Sequence, residues 1–89
     1  MKTYNGHRSW NAWNVSLWMG NDEMIYKFAL ECIKITKKYY EGNSCCSKTW
    51  ILRRATRAFM NDFAGQKTPD GAVYNALSVK LALEGFMEE

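Results

Sequence analysis

The sequence predicts an all-α domain, a compact bundle of four short helices, with a small hairpin allowed near residues 68–74. Three observations carry that reading. Apolar and charged residues segregate at the helical period from Asp22 to Tyr40. Residues suited to caps and stops (Ser9, Gly20, Asn21, Gly65 and Gly71) punctuate the chain at helix-length intervals. No internal repeat, low-complexity tract or long linker divides the 89 residues, so a single domain is expected. With 47% hydrophobic and 15% aromatic residues, such a domain carries enough apolar volume to close a core.

The first helix is expected from about Trp10 to Met19, with Ser9 as N-cap and Gly20 as its stop. Three of the four tryptophans fall within this stretch, with Asn11 and Asn14 threaded between them. Asparagine is a poor helix former, so a helix that served only for packing would not select it here. At about 100° per residue, Trp10, Trp13 and Leu17 share one side, and Trp18, Val15 and Met19 continue round the other. The three tryptophans are expected to bury most of their area in the core. The functional alternative leaves one tryptophan edge, at Trp18 with Arg8 and Asn14, exposed as a contact for a partner.

Asn21 is expected to cap the second helix, with Asp22 and Glu23 in its first turn, where negative charge suits the helix dipole. Met24, Ile25, Phe28, Ala29, Cys32, Ile33, Ile35, Tyr39 and Tyr40 form its apolar half, and Leu30 stands at the edge. Lys27, Glu31, Lys34, Lys37 and Lys38 form a solvated face. After the turn at Glu41–Ser44, a third helix begins near Cys46 or Lys48 and reaches Ala64, where Gly65 stops it. Ile51, Leu52, Ala55, Ala58, Phe59 and Phe63 line its core side, while Arg53, Arg54, Arg57 and Asn61 face away with Trp50 among the arginines. Pro69 and Gly71 then mark a turn. A fourth helix over about Ala76–Met87 buries Val79, Ala82, Leu83 and Phe86. It leaves Leu77 and Leu81 as a second apolar strip, either a further core contact or the seam of a homodimer.

Composition removes several function classes. The longest uncharged stretch, Ser9 to Asn21, is too short and too rich in Asn and Ser to cross a bilayer, so no membrane partner is expected. The N-terminus lacks an apolar secretion segment, which gives the expectation of a soluble protein acting inside the cell. His7 is the sole histidine, the three cysteines form no C-x-x-C pair, and no glycine-rich phosphate loop occurs. An enzyme, a metal site and a cofactor are therefore not expected. Cys32 reads as a small core residue and Cys45-Cys46 as a loop without a special role. The net charge of +3 is concentrated between Lys27 and Arg57, where eight basic residues stand against Glu31 and Glu41. A basic middle suits an acidic protein surface or a phosphate backbone. Trp50, Arg53, Arg54 and Arg57 are the leading partner-binding candidates, because arginine grips carboxylate and phosphate in two-pronged fashion.

The run Tyr4-Asn5-Gly6, Ser9-Trp10-Asn11-Ala12-Trp13-Asn14-Val15-Ser16-Leu17-Trp18, followed by Asn21-Asp22-Glu23, resembles a family of small uncharacterised proteins encoded by bacteriophages and other bacterial mobile elements. Thr68-Pro69-Asp70-Gly71 with Tyr74, Val79 and Leu83 is similar to that family's C-terminal pattern. The resemblance implies a mobile-element origin and a place in the cytoplasm of a bacterial host. By analogy with phage proteins of this size, it implies binding and inhibition of a host protein or ribonucleoprotein, of the anti-CRISPR or anti-restriction type. A second similarity joins Gly65, Thr68-Pro69, Gly71, Tyr74-Asn75 and Val79 to the DNA-binding end of large serine recombinases. It implies a helix-turn-helix regulator in which Asn75 caps a recognition helix while Leu77, Ser78 and Lys80 approach the groove. The chain departs from that pattern, since Lys80 stands alone near Glu84, Glu88 and Glu89, and nucleic acid is the alternative partner.

Overall fold

The computed structural model describes residues 9–39 and 48–88. Four helices follow in order: α1 (Trp10–Asn21), α2 (Glu23–Tyr39), α3 (Lys48–Phe63) and α4 (Ala76–Met87). The all-α expectation holds. The helices form a closed ring in which α1 packs on α2 and α4, α3 packs on α2 and α4, and a lighter α2–α4 contact crosses the middle. Arg8, His7, Cys45 and Cys46 lie outside the described residues.

Ser9 caps α1 as the sequence predicts, its Oγ accepting from the Ala12 N–H at 3.2 Å. The far end differs. Gly20 sits inside the helix, which continues through Asn21 and ends at an extended Asp22. Asp22 serves both helices. Its N–H donates to the Trp18 carbonyl at 3.0 Å, closing α1. Its Oδ1 accepts from the Met24 and Ile25 N–H groups at 3.0 and 3.2 Å, opening α2. A carboxylate satisfies two orphan donors and favours the positive end of the dipole. Asn21 is still inside α1, so the extended Asp22 makes the cap in its place and no loop separates the helices.

At the end of α3, Gly65 takes φ +82°, the left-handed region that lets a helix stop and the chain turn away. The connection to α4 is the hairpin-like element expected near residues 68–74. Lys67 and Val73 form an isolated antiparallel bridge. The Thr68 N–H donates to the Ala72 carbonyl at 2.8 Å, and the Tyr74 N–H to Gln66 at 3.0 Å. Its tip is a tight turn, in which the Gly71 N–H reaches the Thr68 carbonyl at 2.9 Å with Pro69 and Asp70 between. Gly71 holds φ +95° to close it. Asn75 then caps α4, accepting from the Ser78 N–H at 2.8 Å.

The core is built from Val15 and Met19 of α1, Ala29, Cys32 and Ile33 of α2, Leu52, Ala55 and Phe59 of α3, Ala72 and Tyr74 of the connection, and Val79, Ala82 and Leu83 of α4. Its aromatic group joins phenylalanines to Tyr74. Phe59 stacks on Phe63 at 4.3 Å between centroids, Phe28 lies 5.3 Å from Phe59, and Tyr74 closes the group 5.1 Å from Phe63. As expected, the three tryptophans of α1 bury most of their area, but none joins this fully buried core. Trp10 is 39% exposed, Trp13 and Trp18 are half-buried, and Leu17 faces out beside Trp10. Ala12 points inward, at 2% exposed, on a helix that packs against α2 and α4. On α2 the buried stripe is narrower than the apolar half. Met24 (82% exposed) and Ile35 (57%) stand roughly 100° round the helix from its centre and remain outside.

Candidate functional site

Two constellations hold the singled-out residues, one internal and one on the surface. The internal one begins with Asn11 and Asn14, three apart and hence on one side of α1. Asn14 is 1% exposed. Its Nδ2 donates to Asp70 Oδ2 at 2.9 Å, and its Oδ1 accepts from the Thr68 hydroxyl at 2.6 Å. The Trp18 indole N–H donates to the same Asp70 oxygen at 2.9 Å. Asn11 pairs with the Val73 backbone as another strand would, accepting from its N–H at 2.8 Å and donating to its carbonyl at 2.9 Å. The same Nδ2 also lies 2.8 Å from Ser78 Oγ. The Thr68 hydroxyl accepts from the Ala72 N–H at 3.0 Å and completes the network. Every buried side-chain polar atom among the described residues has a partner.

This network explains why asparagines stand in a tryptophan-rich helix. Their side chains bond the Val73 backbone and the Thr68 and Asp70 side chains, fixing the 66–75 connection onto α1. Asp70 is exposed, yet the hydrogen bonds from Asn14 and then Trp18 hold its carboxyl below the usual carboxylate value. Asn14 and Trp18, expected as partner contacts, therefore spend their polar atoms inside the domain. Ser78, expected to approach a DNA groove, is 3% exposed beneath Asn11, and the Asn75 side chain serves as the α4 cap. Of the residues expected to read DNA, Leu77 and Lys80 keep accessible side chains.

The surface constellation lies on α3, which carries two stripes at helical spacing. Leu52, Ala55, Thr56 and Phe59 face the core. Trp50, Arg53, Arg54 and Arg57 repeat the same spacing two positions out of phase and face away. Arg54 places its guanidinium 4.7 Å from the Trp50 ring centroid, an attraction worth about 0.5–1 kcal/mol at an exposed site. The four side chains line a cleft of ≈ 170 Å³. The carboxylate ion pairs among the described residues are Lys27–Glu23 and Lys48–Glu88, both 3.0 Å and exposed, and neither involves an arginine. Arg53, Arg54 and Arg57 are all exposed.

Arg53 and Arg57 also border a second, larger hollow of ≈ 470 Å³ between α3 and α4. Its floor is Thr56, Met60, Ala76 and Leu77, and Lys80 stands at its far rim. Of these, the sequence singled out Leu77, Lys80 and the arginines. Met60 and Ala76 carry no separate signal, because their meeting depends on how the two helices cross. Cys32 is buried, and burial, aided by the nearby Asp62 and Glu31 charges, pushes its thiol up to about 11, which leaves it unreactive at neutral pH. Burial likewise raises the Tyr74 phenol. Among the described residues no three His, Cys, Asp or Glu side chains gather as a metal site would require. No described helix is long and apolar enough to cross a membrane.

No curated protein and no solved structure matches the chain significantly. A family profile does match, over residues 1–89 and so over the tryptophan run, the clasped turn and the arginine stripe alike. The chain belongs to the family of unknown function DUF7249.

Proposed function

We propose that this protein is a non-enzymatic accessory factor of a phage or mobile element that binds a host protein or ribonucleoprotein and blocks its action. The observation that carries the reading is the α3 stripe. Three exposed arginines with a half-buried tryptophan line one cleft, and no carboxylate of the described residues neutralises them. Guanidinium groups held in this way present two-pronged donors to an acidic surface, and Trp and Arg dominate the strong points of interfaces. The mobile-element origin and the bacterial cytoplasm as the place of action rest on the resemblance of the Tyr4–Trp18 run.

Long-range attraction between this stripe and an acidic target accelerates encounter, so capture should weaken as salt rises. The test combines affinity capture from host cells with a readout of host defence during infection. Joint Arg53→Glu, Arg54→Glu and Arg57→Glu substitution is expected to abolish both capture and inhibition while leaving the helical circular dichroism unchanged, because these side chains face solvent. A triple variant that inhibits as well as the parent would end this reading. The helix-turn-helix alternative requires duplex binding that falls steeply with salt. It is disfavoured by the burial of Ser78 and by the capping role of Asn75.

A further inference from the structure

The larger hollow gives the proposed partner a chemistry. Leu77 is 52% exposed at its floor, beside Met60 and Ala76, while Arg53, Arg57 and Lys80 surround that floor with positive charge. An apolar floor rewards an apolar side chain, and three cations reward carboxylates placed around it. We propose that this groove is the docking site for an acidic amphipathic segment of a partner protein, which seats a large apolar side chain on Met60, Ala76 and Leu77 and lays carboxylates against Arg53, Arg57 and Lys80. The assignment deepens the proposed host-binding role and rests on it.

Charge decides among the occupants. In a symmetric pair of identical chains the same patch meets itself. A seam at Leu77 and Leu81 would then set Arg53, Arg57 and Lys80 against their own copies, six cations across one small contact. A head-to-tail pair could offer the acidic, apolar corner at Asp22, Met24 and Asp62 instead. Such a contact leaves one surface unpaired at each end and grows into a ring or an open chain rather than stopping at a pair. A nucleic-acid backbone would meet the three cations but leave the apolar floor empty. A protein segment that carries both chemistries satisfies every wall of the groove.

The experiment uses the full chain and a fluorescein-labelled synthetic peptide of about 15 residues, roughly four helical turns. The peptide carries leucines on one face and glutamates on the flanks. A second peptide of identical charge has serine in place of leucine, and a short DNA duplex is the third probe. Anisotropy is expected to show the leucine peptide binding at least tenfold more tightly than the serine peptide. The Leu77→Ser variant, whose side chain faces solvent, is expected to remove most of that difference, and Lys80→Glu to weaken the leucine peptide several-fold. Equal binding of the two peptides, indifference to Leu77→Ser, or tighter binding of the duplex through the same residues would each overturn the assignment. So would sedimentation showing self-association of the free chain that Leu77→Ser abolishes. If Leu77→Ser still captures and inhibits the host target while the triple arginine variant does not, the groove assignment falls and the host-binding role stands.

Discussion

Asn14 shows what a single side chain does in this domain. It is fully buried, and both ends of its amide are used, one by Asp70 and one by Thr68. Asn14→Ala removes those bonds and leaves the Thr68 hydroxyl without its acceptor, so urea unfolding is expected to show a loss of about 2 kcal/mol. Asp70 is the pH-sensitive member of the clasp. Its folded pKa lies below the ordinary carboxylate value of 3.8 because Asn14 and then Trp18 hydrogen-bond to the charged form. The stabilisation is therefore complete above that ordinary value and is lost as pH falls through the lowered folded value. Asp70→Asn is expected to lower the melting temperature at pH 7. The gap from the parent should close as both proteins are taken below pH 3.8, which parallel melting series would reveal. A gap that stayed constant with pH would mean that the Asp70 charge has no part in the clasp.

At the scale of elements, Gly20 in α1 and Gly71 in the turn before α4 carry opposite lessons about glycine. Gly20 lies inside α1, and a methyl group built there meets nothing within 4 Å. Gly20→Ala should raise stability by about 0.5–1 kcal/mol through helix propensity alone. Gly71 also has open space around it, yet its φ of +95° belongs to the turn that presents Asp70 to α1. Gly71→Ala should cost about 1–2 kcal/mol for the left-handed backbone, and chemical denaturation of the two variants side by side checks both signs. Element existence was legible in the sequence because caps and periodicity are local. The α2 and α3 stripes follow from spacing alone, whereas the Asn75 cap was implied by the similarity of the Thr68–Val79 segment to the recombinase turn. The junction at Gly20–Asp22 was less legible, since Asn and Asp cap almost equally well and only geometry picks one.

For the whole molecule, Phe59 is the hinge of stability. It is fully buried and touches rings from α2, α3 and the connection before α4. Phe59→Ala should cost about 3–5 kcal/mol, a large share of the 5–15 kcal/mol available to a domain. Loss of the cooperative urea transition, or an extrapolated unfolding free energy lower by that amount, is the expected result. The arginine stripe belongs to this scale too. Its residues were readable from spacing, but the groove they share with Met60, Ala76 and Leu77 exists only because α3 and α4 lie side by side.

By itself the sequence determined the number of helices, their approximate spans, the side of α3 that carries the arginines and the turn at Pro69–Gly71. These follow from interactions between residues a few positions apart, which periodicity and capping encode directly. Tertiary structure alone decided that Phe59 and Tyr74, rather than the tryptophans of α1, supply the fully buried rings of the core. It also decided that Asn11, Asn14 and Trp18 hold a loop more than fifty positions away. The physical reason is that an amide or indole N–H is equally suited to a partner protein, to water or to a distant turn. Only the closed ring of helices brings Asp70 and Val73 within hydrogen-bond reach and selects the last of these.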